Sequence, residues 1–363
     1  MTSFISVAIA QPANPLQLDR SDRLIPKGYG KRELSSFEKY RLQKEIIKLD
    51  KTAKNELARG NTGLAMELWY RRLRLTRIID IQAEVKALGK IGAIAWKENL
   101  TEDVRNIANR LDAIETAKVK KKKVSSKLLN DLAVAYESVR YLDKAIDIYE
   151  HLSLRSNKDK TIDRLGELYL DIFDYDKAAK IYQQKLDRNI LPKQRKTILK
   201  TLVEIYDRTQ QINRSIAVKK QLVKYYNEKQ QKEIPALKIA IARDYETLKQ
   251  VQKAILVYQQ AFDMAFKNKQ LAIATEALTQ IGKLQQKQNI EQAIDTYNQL
   301  ITVQQQSYNY YSLINTYDTL GKIYLKSNNP NKAKQFFQQG LDLAITLNYK
   351  IEYFRDRLKR LSA

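Results

Sequence analysis

The sequence predicts an all-α fold, a right-handed α-α superhelix of about eight stacked helix pairs closed by a C-terminal capping helix. Three observations carry that expectation. From Ser36 onward the apolar residues recur at helical spacing. Glycine (10) and proline (6) are scarce in a chain of 363 residues, which suits helices joined by short turns. Above the helical period lies a longer one of about 33 to 41 residues, in which a large–small pair, an aromatic, a second small residue and a second aromatic return in the same order.

The first 35 residues stand apart. Met1 to Ala10 is mildly apolar and ends Ala8-Ile9-Ala10, small residues of the kind a signal peptidase accepts, but without a basic stretch before it. It reads as the end of a truncated export signal, so a periplasmic or otherwise exported location is expected, with a cytoplasmic one as the alternative. Gln11 to Ser35 holds Pro12, Pro15, Pro26, Gly28 and Gly30 and reads as an extended tether. Residues 36–363 are expected to form the helical repeat.

The first copy has Ala53, a Gly60-Asn61 turn, Ala65 and Trp69, and the second Gly92, Val104 and Ala108. The third is clearer, with Leu132-Ala133, Tyr136, Ala145 and Tyr149, and the fourth reads Leu165-Gly166, Tyr169, Ala178 and Tyr182. Leu202, Tyr206 and Ser215 mark the fifth; Ala242, Tyr245, Ala254, Tyr258 and Ala261 the sixth; Gly282, Ala293 and Tyr297 the seventh. The eighth repeats the full pattern in Leu320-Gly321, Tyr324, Ala333, Phe337 and Gly340. Small residues let two helices approach closely and aromatics fill the space between pairs. Residues 349–361, amphipathic and strongly charged, have the character of a helix covering the last apolar face.

This spacing identifies the chain as a member of the tetratricopeptide repeat (TPR) superfamily, and the resemblance covers about nine-tenths of the sequence. It implies a non-enzymatic scaffold or assembly factor that holds a protein or peptide partner in a groove lined by the first helix of each pair. Groove-facing residues then lie three before, and one, four and five after, the small residue of that helix. They include Asn130, Glu137, Asp163, Glu167 and Asp171, then Lys200, Glu204, Asp207, Arg243 and Glu246. The middle of this surface is expected to be acidic and to hold a basic or polar segment. Asp163, Glu167, Asp171, Glu204 and Asp207 are also weak candidates for oxygen ligands to a hard divalent ion such as Mn²⁺, the alternative reading being a metal-carrying chaperone. Farther on, Lys283, Lys287, Lys322 and Lys326 make the groove basic.

The composition excludes other chemistries. Cysteine is absent, so disulfides and thiolate chemistry are excluded. His151 is the only histidine, and no Gly-rich phosphate loop or nucleophile elbow accompanies it, which argues against an enzyme. The net charge of +24 has two open readings, compositional drift or an acidic partner such as an anionic membrane or RNA. The run Lys120 to Lys123 and the series Arg71, Arg74, Arg77 read as solvated surfaces, and nucleic acid is an unlikely partner without aromatics to accompany them. Trp69 and Trp96 suit packing, with Trp96 able to serve as a groove anchor. No stretch has the apolar length of a transmembrane helix; peripheral membrane association stays open.

A narrower resemblance rests on Gly60-Asn61-Thr62 to Leu75, on Gly89 to Asn99, and on Leu165 to Tyr175. These segments resemble cyanobacterial exported TPR proteins of the PratA type. That resemblance implies a part in photosystem II biogenesis, through binding of the D1 precursor and supply of Mn²⁺.

Overall fold

A computed structural model describes residues 14–119, 124–155, 159–188, 190–229 and 231–362. The export-signal reading of residues 1–10 and the lysine run at 120–123 lie outside them. Among the described residues there are seventeen α-helices and no strand.

The chain divides into two compact units, 1–181 and 182–363, with the division inside α8. The first unit contains α1 (Ser36–Ala58), α2 (Thr62–Ile79), α3 (Ile81–Lys97), α4 (Thr101–Val119), α5 (Ser126–Ser138), α6 (Leu142–Arg155), α7 (Asp159–Asp171) and most of α8 (Tyr175–Leu186). The second contains α9 (Pro192–Arg208), α10 (Ile212–Lys229), α11 (Ile234–Thr247), α12 (Val251–Lys267), α13 (Leu271–Gln285), α14 (Ile290–Gln306), α15 (Tyr310–Lys326), α16 (Pro330–Thr346) and α17 (Ile351–Ser362). Odd-numbered helices are the first of each pair, so the eight expected pairs and the final capping helix are all present.

Most pairs close by the same backbone device, the turn between α13 and α14 being an exception. At the end of α3, Asn99 turns to φ 58°, Leu100 N–H donates to the Ala95 carbonyl and Asn99 N–H to that of Trp96. These bonds satisfy carbonyls the helix leaves unpaired. The same pattern closes α1 at Gly60 (φ 83°), where a glycine meets no steric penalty. It also closes α5 at Arg140 and α7 at Phe173, where an L side chain has to accept it.

Close approach comes from the small residues. Ala53, Ala65, Ala133, Ala145, Ala178, Ala242, Ala254, Ala293 and Ala333 are fully buried. A Cβ on Gly92 would lie 2.4 Å from Val139 Cγ1, and one on Gly89 3.1 Å from the Ala135 Cα. Helices α3 and α5 therefore run in parallel register, face to face. In the second unit a Cβ on Gly321 would meet the Phe337 ring at 2.5 Å, and one on Gly340 the Phe354 ring at 2.4 Å. Phe354 of α17, fully buried, thus seals the last pair as a capping helix should.

One expectation changes. The extended tether is, from Asn14, a run of turns laid against α1 and α2. Leu16 is buried, and Leu18, Leu24, Ile25, Tyr29 and Leu34 pack on Leu42, Leu49, Leu75 and Ile78. Arg71 forms a two-pronged ion pair with Asp22 (2.8 and 2.9 Å), and Arg74 donates to the Pro15 carbonyl at 2.5 Å. Hydrogen bonding to Arg71 holds the Asp22 carboxyl below its ordinary range. The arginines expected to form a solvated stripe instead fasten this segment, because the apolar residues at 16–34 need a surface to cover.

Candidate functional site

Residues separated by i, i+4, i+7 and i+8 share a helix face. On α5 they are Asn130, Val134, Glu137 and Ser138; on α3, Ala93, Trp96 and Lys97 are exposed, whereas Gly89 is buried against Ala135. Buried residues on either side confirm the direction: Leu132, Ala133, Ala135 and Tyr136 point inward, whereas Val134 is half exposed. Trp96 keeps 53% of its surface in water and borders a cavity of about 170 Å³ with Asn99, Leu100, Thr101 and Val104. Trp69, by contrast, is fully buried and donates its indole N–H to Asp50 at 3.2 Å.

The charges on this face are largely engaged. Arg164 on α7 bonds Glu137 on α5 and Glu167 one turn ahead of itself, the latter at 2.6 Å. The other oxygen of Glu137, Oε1, is buried without a hydrogen-bond partner among the described residues. The hydrogen bonds that Arg164 donates to Glu137 raise the guanidinium pKa further. Glu137 is therefore an internal acceptor rather than a free groove carboxylate. Asp163 also has a partner. Glu167 remains more than half exposed, and Asp171 is exposed with no ion pair among the described residues.

In the second unit the expected acids divide in the same way. Asp207 accepts from Ser215 Oγ at 2.5 Å and from Lys219 Nζ at 2.9 Å, while Lys219 also reaches Asp244 at 2.8 Å. Lys219 is buried, so its charge needs both carboxylates. Burial pushes the Asp244 carboxyl above its ordinary value against the pull of Lys219. Glu246 accepts from Tyr258, and Arg243 pairs with Glu276. Asn130, Lys200 and Glu204 are exposed with no hydrogen bond or ion pair among the described residues. Among the basic residues farther on, Lys322 is bound to Asp318 at 2.6 Å and lies over the Tyr353 ring. His151 is exposed on α6, beside a cavity shared with Glu115, Asp147 and Arg155.

The ten expected residues are thus spread over two units, and six of them (Glu137, Asp163, Glu167, Asp207, Arg243 and Glu246) serve inter-residue contacts. Among the described residues no three of His, Asp or Glu gather as metal ligands, so the weak metal candidates Asp163, Glu167, Asp171, Glu204 and Asp207 are not brought together. Sequence reading missed Arg164 and Lys219. Arg164 carried a local signal, three residues before Glu167; the link to Glu137 crosses 27 positions and carried none.

A recurring contact explains other acids. Tyr70 donates to Asp103 (2.5 Å), Tyr169 to Glu150 and Tyr258 to Glu246, while the Tyr136 hydroxyl, with one proton to give, lies 2.7 Å from Asp112 and 2.8 Å from Glu115. Burial, then the carboxylate, holds these phenols and Tyr149 protonated well above their ordinary range. A phenol pKa raised by folding contributes stability that is complete below about pH 10 and is lost as pH rises above it. Alkaline titration followed at 295 nm should show a class of tyrosines that ionises only together with loss of helical circular dichroism. Smooth ionisation of all 22 tyrosines before any unfolding would contradict these bonds.

No described helix is long and apolar enough to cross a membrane. Residues 161–193 and 277–346 match family models of the tetratricopeptide repeat. No curated protein matches the chain. Similar solved structures include BtubC from P. vanneervenii, 16% identical over 58% of this chain and 90% of that one, with a TM-score of 0.37. Another is a signal transduction ATPase with a tetratricopeptide repeat sensor from Pyrococcus horikoshii, 13% identical over 92% of this chain and 51% of that one, TM-score 0.41. A third is a tetratricopeptide repeat protein from Parabacteroides merdae, 13% identical over 88% of this chain and all of that one, TM-score 0.34. Two segments of the chain thus match the tetratricopeptide repeat family, and the small-and-aromatic contacts between helix pairs support the same repeat.

Proposed function

We propose that the chain is a non-catalytic scaffold that holds a segment of a partner protein on the first-helix face of its repeats. The observation that carries this is Trp96: a tryptophan half exposed beside a small cavity, in register with Glu137 and followed by the exposed carboxylates of α7. A large rigid ring of this kind serves as an anchor at interfaces. The complementary segment carries an apolar residue for Trp96 and a basic one for Glu167 and Asp171. Charge pairing at the rim sets register and association rate more than affinity.

The likeness to exported proteins of the PratA type makes the D1 precursor of photosystem II the first partner to try, with an exported location. Supply of Mn²⁺ belongs to that narrower reading and rests on the resemblance alone. In a capture assay on immobilised D1 precursor segments and a basic peptide array, Trp96→Ala and Asp171→Lys should each weaken binding about tenfold. Neither side chain supports the fold, so the melting temperature should hold. Full capture by both variants would remove this face from the account.

A further inference from the structure

Four tyrosines collect at the start of α15 in the second unit. Tyr308 is 78% exposed and Tyr311 59%; Tyr310 lies between them, and Tyr349 joins from the turn before α17. Tyr308 and Tyr310 meet edge to face at 6.2 Å and 74°, Tyr311 and Tyr349 at 5.5 Å and 71°. Lys350 lies 5.2 Å over the Tyr349 ring and donates to Asn315 Oδ1 at 2.8 Å.

Folding does not account for two features here. Tyr308 takes φ 54°, the left-handed conformation that Asn99, Asn328 and Asn348, but also Arg140, Phe173, Gln210, Lys249 and Lys269, take at helix ends. A bulky residue there is strained, and most of this ring packs against nothing in the chain. The sequence also runs from Asp295 to Asp318 with no charged side chain between, in a protein with 29% charged residues. Tyrosine enrichment with charge depletion is the composition of an interface core, not of a solvated turn.

We propose that this patch captures an uncharged, proline-rich segment of a partner protein in the polyproline II conformation. Rings set near right angles leave notches walled by aromatic faces, into which prolyl rings fit. A polyproline II chain has no internal hydrogen bonds, so its carbonyls accept from tyrosine hydroxyls and asparagine amides. A charged segment would lose its hydration with little in return, since Lys350, which lies over the Tyr349 ring, is already bonded to Asn315. RNA fits poorly for a related reason: its phosphates require several cations. The Phe173–Tyr175 pair in the first unit repeats the 6.2 Å edge contact but is surrounded in sequence by Asp171, Asp174, Asp176 and Lys177. It is not expected to bind such a segment.

The test titrates the full chain into fluorescein-labelled decaproline, with a labelled Gly–Ser decapeptide and oligo-uridine as comparisons. Saturable decaproline binding is expected, insensitive to salt between about 50 and 500 mM. It should weaken at least tenfold in Tyr308→Asn and in Tyr311→Ser. Tyr308→Asn keeps the fold, because asparagine suits that backbone, so its melting temperature should equal or exceed that of the parent. Decaproline binding no stronger than that of the Gly–Ser peptide overturns the proposal, as does binding indifferent to both substitutions. Salt-sensitive oligo-uridine binding in its place, or a Tyr311-dependent dimer in sedimentation, overturns it in favour of RNA or of a second copy.

Discussion

Arg110→Ala is expected to destabilise the first unit by about 3–5 kcal/mol. Arg110 on α4 grips Glu84 on α3 through two bonds of 2.7 and 3.0 Å, and Glu84 is only 3% exposed. Removing the guanidinium strands a carboxylate away from water. Replacing both partners, as in Glu84→Leu with Arg110→Met, should restore most of the stability, because no charge is then left unpaired. Each repeat touches only its neighbours, so hydrogen exchange across α3 to α5 is the appropriate measurement. Unchanged protection in Arg110→Ala would show that the pair is not buried.

The second large effect is expected at Phe337. Its ring is fully buried, occupies the space left by the missing Cβ of Gly321, and meets Phe354 at 6.5 Å. Phe337→Ala should cost about 3–5 kcal/mol and loosen α17 first, since Phe354 loses its support. Gly321→Ala is the sharper test. Helix propensity alone makes it stabilising by about 1 kcal/mol. With ring atoms 2.5 to 2.8 Å from the new Cβ, overpacking should reverse the sign, by about 1–3 kcal/mol. Phe337→Leu in the Gly321→Ala background should recover part of that loss, a coupling visible in a double-mutant cycle. A stabilised Gly321→Ala would refute the close approach of α15 and α16.

Much of the architecture was legible in the residues. Gly321, Phe337 and Gly340 announced a close contact through their spacing, and the structure places the two rings where these glycines lack side chains. The capping helix expected at 349–361 is α17, Ile351–Ser362. Less legible was the segment before Ser36, where prolines and glycines suggested an extended chain. Leu16, Leu18, Leu24 and Ile25 have no helical or strand period, so their burial against α1 and α2 left no pattern to read.

The candidate surface was legible by position and not by charge. Glu137, Glu204 and Asp207 look alike in the sequence, each at a face-lining position. The structure separates them: Glu137 is held by Arg164, Asp207 by Lys219 and Ser215, and Glu204 is exposed. The sequence by itself determined the helices and their pairing, because those follow from local periodicity and from small residues at fixed intervals. Only the tertiary structure decided which ions are free to meet a partner. Pairs such as Arg164–Glu137, Arg110–Glu84 and Lys219–Asp244 join helices about 25 positions apart, and no local period encodes them.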